Sequence, residues 1–221
     1  MDVGYWRGAA EDEAMQDEHG FIWTAMLEVA GDLRGARVLD AGCNRGGFLR
    51  LLADHAGIAE GFGYDPAKGA VDDARSLAGS RPLRFEAAST VPAGWSGFDA
   101  AFSHEVLYLI SDMGGHAADV FRALKPGGCY YATIGVHTAS RLMSAWHAEQ
   151  AAALGLPRLY SLDEVAEAFE QAGFDVSAGR LPIRFVPVRA HRADRAVGGL
   201  AEWIDYYCRD KTLFRFTRPA Q

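Results

Sequence analysis

Two acidic residues and a glycine-bracketed turn are the strongest chemical signal in this chain. Asp40 ends a short apolar run, Arg37-Val38-Leu39, and leads through Ala41 into Gly42-Cys43-Asn44-Arg45-Gly46. Asp65 comes 19 positions after Gly46, at the end of a second short run, Gly61-Phe62-Gly63-Tyr64. Gly42 lets the chain turn tightly and leaves the backbone open to a ligand. A helix after such a turn offers unpaired N–H groups and a partial positive charge. A carboxylate at the end of the next strand can accept both hydroxyls of a ribose. The outline suits a nucleoside-bearing cofactor. A dinucleotide fits poorly, because from Gly42 the pattern G-x-G-x-x-G falls on Asn44 and Gly47 and lacks its middle glycine. Asp40 would also repel a pyrophosphate, and it suits a cofactor with a positive end such as an amino group.

These residues are positioned by an alternation of strand and helix. Phe21, Ile22, Ala25, Met26 and Val29 recur at helical spacing and stop at Gly31. Strands are predicted at 37–40, 61–65, 83–87, 98–102 and 129–134, with helices from Phe48, over 68–77 and over 117–124. Lys125-Pro126-Gly127-Gly128 reads as a turn. Beyond Gly135 an inserted helix is expected over 141–154 and another over 162–172. Two closing strands, roughly 174–188 and 212–217, flank a helix around 200–207. The reading is an α/β fold, a doubly wound and mostly parallel sheet with an antiparallel last strand. No linker or repeat divides it, so residues 1–221 are taken as one domain. Its parts are an N-terminal helical segment to 31, a core over 37–135, an insert over 136–160 and a C-terminal part over 161–221.

The sequence resembles the class I S-adenosylmethionine-dependent methyltransferases, a Rossmann-like, seven-stranded family. The resemblance rests on Val38-Leu39-Asp40-Ala41-Gly42-Cys43-Asn44-Arg45-Gly46, Gly63-Tyr64-Asp65, Phe98-Asp99-Ala100-Ala101-Phe102-Ser103 and Leu124-Lys125-Pro126-Gly127-Gly128, in that order. It covers residues 37–135 and looks like the small-molecule branch typified by ubiquinone and menaquinone biosynthesis enzymes. It implies S-adenosyl-L-methionine as cofactor, with its methionine moiety in the turn of Gly42, Cys43, Asn44 and Gly46. Asp40 would serve the amino group, Asp65 with Pro66 beside it the ribose, and Ala87, Ala88 and Ser89 the adenine. Ser103 and His104 would flank the transferring methyl, and the N-terminal segment with Tyr5 and Trp6 would fold over the cofactor as a lid. Two departures stand out: Asn44 where the family usually has glycine, and Ala87 where it often has Asp. Asn tolerates left-handed backbone, so the turn can survive.

Methyl transfer is an in-line displacement that chiefly needs positioning. A base is required only for an acceptor still protonated at the working pH. His104 is the candidate base, able to titrate near neutrality; its alternative role is packing beside the cofactor. Glu105 and Tyr108 come next, one alternatively a charge at a helical turn, the other a wall of the acceptor pocket. Trp146 and His147 lie on the insert, which either roofs the acceptor or packs as core. Arg184, Arg189 and His191 are candidates for gripping an anionic acceptor.

The composition bounds the rest. With 221 residues, 49% of them apolar and 23% charged, the chain is globular rather than disordered. Its net charge of −7 argues against nucleic acid as a partner. The part from Arg180 onward nonetheless carries nine basic residues against four acidic ones. Those cations either hold an anionic acceptor or stay solvated and paired. Cys43, Cys129 and Cys208 form no CxxC pair and no metal site is expected. No membrane segment or basic leader is read, so the expectation is a cytoplasmic monomer or homodimer. The function expected is methylation of an oxygen, nitrogen or carbon of a small molecule. The alternatives are an RNA or protein methyltransferase, or an inactive cofactor-binding protein of the same fold.

Overall fold

In the computed structural model, which describes residues 9–188 and 199–220, helix α1 (Ala9–Ala30) precedes a regular strand–helix alternation. The alternation runs β1 (Arg37–Ala41), α2 (Gly47–His55), β2 (Glu60–Asp65), α3 (Lys68–Ala78), β3 (Leu83–Ala87), β4 (Phe98–His104), α4 (Met113–Ala123) and β5 (Leu124–Ile134). Then come α5 (Arg141–Leu154), α6 (Leu162–Gln171), β6 (Asp175–Arg180), α7 (Leu200–Asp205) and β7 (Thr212–Thr217). The seven strands form one sheet in the order β3-β2-β1-β4-β5-β7-β6. Strands β1 to β5 pair in parallel, and β7 runs antiparallel to both β5 and β6. This is the expected fold class. Side chains alternate across each strand, so Val38 and Phe102 face a core with Ile22, Met26 and Leu49. Leu39, Phe62, Ala101 and Tyr130 face a second core with Val120, Val165 and Phe169. The central strands β1, β2, β4 and β5 are buried on both faces for most of their length, which is why they read as continuous apolar runs.

Several boundaries differ from the sequence reading. The Lys125-Pro126-Gly127-Gly128 segment is a bulge within β5, because Phe98 pairs with Leu124 and Ala100 pairs next with Cys129. Pro126 has no N–H for the ladder, and Gly127 takes φ 80°. Arg218 closes the bulge by accepting from Gly127 N–H and donating to Gly128 O. Helix α4 starts four residues before the predicted 117, where the Asp112 carboxylate accepts the Gly115 N–H and caps it. Strand β6 stops at Arg180, well short of 188. Val29, assigned to the apolar face of α1, is 40% exposed, and Ile22, Trp23, Ala25 and Met26 make the buried face instead.

Candidate active site

Strand order reverses between β1 and β4, and in open α/β sheets the crevice at the carboxyl ends of the strands at such a point holds the ligand. The exit of β1 is shaped by three left-handed residues, Gly42 at φ 78°, Asn44 at φ 47° and Gly46 at φ 72°. Asn44 thus adopts the conformation that its replacement of glycine demanded. Gly42 and Cys43 donate their N–H groups to Tyr64 O at 2.9 and 3.1 Å. A Cβ on Gly63 would lie 2.7 Å from that of Cys43, so the turn packs directly on β2. The Cys43 side chain is buried in this contact, and burial raises its thiol pKa well above the usual value.

Asp65 ties the turn to the next strand exit. Its Oδ2 accepts the Asn44 N–H at 3.0 Å and its Oδ1 the Ala67 N–H at 2.8 Å. Ala87 stands opposite Asp65 in register, and Ala88 N–H donates to Asp65 O at 3.0 Å. Pro66, Ala87, Ala88 and Ser89 are therefore carried to the same edge as the turn. Asp40 is buried at the end of β1 with no ion pair among the described residues. Burial, with the Asp65 charge adding to it, pushes its carboxyl up to about 8.

The exit of β4 forms the other side. Ser103 is fully buried and accepts a hydrogen bond from the Tyr130 hydroxyl at 2.7 Å. His104 Nδ1 lies 2.8 Å from the Thr133 hydroxyl of β5. Burial lowers the His104 pKa well below the usual value, with His19 and Lys211 adding to the effect. Glu105 takes a left-handed φ of 55°. Its carboxylate accepts Gly135 N–H at 3.1 Å and Lys211 Nζ at 2.8 Å. Lys211 is buried beside Tyr206 and Tyr207, each ring centre 5.0 Å from Nζ. Its pKa is lowered by burial, against the opposing pull of Glu105. Tyr108 is buried with Leu109 and Val136 beneath α5, where Trp146 meets it edge-on at 6.4 Å. His147 is buried and bonds Pro157 O at 2.9 Å.

The structure thus gathers Asp40, the Gly42–Gly46 turn, Asp65, Ala87–Ser89, Ser103, His104 and Glu105 on the carboxyl edge of the sheet. Two residues that the sequence reading did not single out join them. His19 of α1 stands edge-on to His104, ring centres 4.8 Å apart, and burial with Lys211 lowers its pKa to about 3. Lys211, read only as one of the C-terminal cations, neutralises Glu105 across 106 positions of sequence. Arg184 lies elsewhere, lining a groove of about 450 Å³ with Phe21, Glu28 and Phe185. Tyr5, Trp6, Arg189 and His191 lie outside the described residues. Among the described residues no group of three or more His, Cys, Asp or Glu is placed to hold a metal ion. No described helix is long and apolar enough to cross a membrane.

Comparison with known proteins adds to this geometry. The family described as "Methyltransferase domain" matches residues 11–178. The chain is 30% identical over 182 residues to 24-methylenesterol C-methyltransferase 2 of Oryza sativa subsp. japonica, covering 76% of this chain and 49% of that protein. It spans about half the length of the curated relatives it matches. Among solved structures, a Haloferax volcanii chain in complex with the Trm112 methyltransferase activator superposes with TM-score 0.78 at 23% identity, covering 96% and 95% of the two chains. Phosphoethanolamine N-methyltransferase 2 of Haemonchus contortus, in complex with S-adenosyl-L-methionine, superposes with TM-score 0.70 at 19% identity, covering 95% of this chain and 57% of that one.

Proposed function

Because the chain belongs to the class I S-adenosylmethionine-dependent methyltransferases, we propose that it methylates a small molecule with S-adenosyl-L-methionine as donor. The observation that carries this reading is Asp40: a buried carboxyl with no countercharge among the described residues, held protonated to about pH 8. An amino group on a ligand supplies that countercharge. The rest of the edge fits the same ligand. Gly42 and Gly46 hold left-handed turns that bring backbone to the crevice. Asp65 stands at the exit of β2, where a carboxylate can receive ribose hydroxyls. The bound cofactor supplies a sulfonium methyl to a nucleophile.

The residues divide the work by position. The turn of Gly42, Cys43, Asn44 and Gly46 seats the methionine end, Asp65 and Pro66 the ribose, and Ala87, Ala88 and Ser89 the adenine. Ser103 and His104 border the methyl. Glu105 is a positioning residue: its bonds to Gly135 and Lys211 hold the left-handed exit of β4 on which His104 depends. Tyr108 and Trp146 form the wall toward α5. The net charge of −7 favours a small acceptor over RNA. The chain is read as one domain acting as a monomer or homodimer. The test is release of S-adenosylhomocysteine from S-adenosylmethionine in the presence of a panel of small acids, amines, phenols and sterols. Acceptor-dependent release is expected; release with RNA or protein alone would overturn the small-molecule reading.

A further inference from the structure

His104 and His19 bring two ring nitrogens together at the exit of β4. Thr133 is fully buried, and its hydroxyl oxygen, 2.8 Å from His104 Nδ1, also receives the Glu105 N–H at 3.3 Å. A hydroxyl has a single proton to donate. Among the described residues the acceptor within its reach is His104 Nδ1, so Thr133 donates there. The proton of the neutral imidazole then sits on Nε2. That nitrogen is enclosed and has no hydrogen-bond partner among the described residues. It is a donor awaiting an acceptor atom, and it has no lone pair with which to take a proton. A buried donor left unsatisfied is destabilising. His19 presents a second enclosed nitrogen, Nδ1, without a partner among the described residues, from the ring edge-on to His104. Among the described residues the charged groups facing the pair are Lys211, whose charge helps keep both rings neutral, and Glu105, which is paired with it.

We propose that His104 and His19 form the recognition pair for a carboxylate, and that the acceptor is a carboxylic acid methylated as its anion. This rests on the methyltransferase reading above and names the substrate class for that site. One carboxylate oxygen accepts the His104 Nε2–H while the other attacks the methyl carbon. The new O–C bond forms as the C–S bond breaks, and the electron pair goes to sulfur. A carboxylate and a sulfonium become a neutral ester and a neutral thioether, and no proton is released. Such charge neutralisation is favoured in a site closed to water. An alcohol or ammonium acceptor would need a base at this position, and the tautomer set by Thr133 offers none. His104 is therefore an orienting donor rather than the general base that its position in the sequence suggests.

The test uses the full chain labelled with ¹⁵N-histidine and saturated with S-adenosylhomocysteine, whose binding is followed by calorimetry in the same samples. Long-range ¹H–¹⁵N spectra should show His104 neutral with its proton on Nε2 throughout pH 6–8, and benzoate should shift both His104 and His19. An Nδ1–H tautomer, a charged ring at pH 7, or shifts with benzylamine or benzyl alcohol but not benzoate would overturn the proposal. Failure of S-adenosylhomocysteine to bind would instead overturn the methyltransferase reading on which it rests. In turnover, His104→Leu should lose about 10–100-fold in kcat/KM, the worth of a hydrogen bond to a charged group. His104→Gln keeps an N–H but no basic nitrogen, and should lose about tenfold less than the Leu variant. With S-adenosylmethionine saturating at every pH, the wild-type kcat/KM for the carboxylate should be flat from pH 6 to 9. Equal losses in the two variants, with a rise through an ionisation near neutrality, would establish a base and refute the donor.

Discussion

Replacing Asp40 with Asn should stabilise the ligand-free protein while weakening the cofactor, and both effects follow from one ionisation. Unfolded, the carboxyl titrates near 3.8; folded, burial and Asp65 hold its proton to about 8. Between those pH values the folded state binds the extra proton, so stability falls as pH rises and levels off above 8. Each pH unit costs about 1.4 kcal/mol, an upper bound on the order of 5 kcal/mol across the window. Asn keeps the shape and removes the ionisation. Even about 1 kcal/mol moves the melting temperature of a chain this size by about 2–4 °C. Scanning calorimetry from pH 5 to 8.5 should show the variant melting above wild type by a margin that grows with pH. With S-adenosylmethionine at about 100 times its Kd, wild type should recover about 2.7 kcal/mol and the variant much less. Wild-type affinity should also rise by nearly tenfold per pH unit from 6 to about 7.5, because binding expels the Asp40 proton. Above that the ligand's own amino group, with an ordinary pKa of about 7.7–8.0, begins to lose its charge. A margin independent of pH, or equal affinity in the two proteins, would refute the reasoning.

Asp65→Ala removes the acceptor for Asn44 and Ala67 N–H groups as well as the proposed ribose contact. It should weaken S-adenosylhomocysteine by at least tenfold in calorimetry, since hydrogen bonds to a charged group are worth about 1.5–3 kcal/mol. Lys211→Met strands the partly buried Glu105 carboxylate and should cost up to about 3–5 kcal/mol in denaturant unfolding. The Lys211→Met/Glu105→Gln double variant should recover part of that loss, the sign of direct coupling. Gly46→Ala places a Cβ 2.6 Å from Phe85 Cζ at a φ of 72°, and should destabilise by about 1–3 kcal/mol, read as a lower denaturation midpoint.

The sheet was legible because its central strands are buried on both faces and its turns are marked by glycine and proline. The bounds of β3, α5 and β7 match the sequence reading residue for residue. So was the β1 turn, where the departure at Asn44 is absorbed by a left-handed φ that Asn tolerates. What escaped was whatever depends on partners far apart in the chain. The bulge at Gly127 is closed by Arg218, and nothing local distinguishes it from a turn. The α4 start is set by the Asp112 side chain, masked by two glycines of low helix propensity. Lys211, undistinguished among the nine C-terminal cations, is 1% exposed, because Glu105 compensates its charge. His19 has no motif around it; only the docking of α1 brings it to His104. Two more of the C-terminal cations stitch the fold. Arg180 donates to Asp210 O and the Thr212 hydroxyl, and Arg218 to Phe121 O and Leu124 O.

Calorimetric titration of the protein with S-adenosylmethionine, its demethylated product and NAD is the most direct test of the central claim. Saturable binding of the sulfonium and its product, with no binding of NAD, is the outcome expected from Asp40, the Gly42–Gly46 turn and Asp65. Absence of binding by either sulfur nucleoside, or NAD binding as tight as theirs, would contradict it.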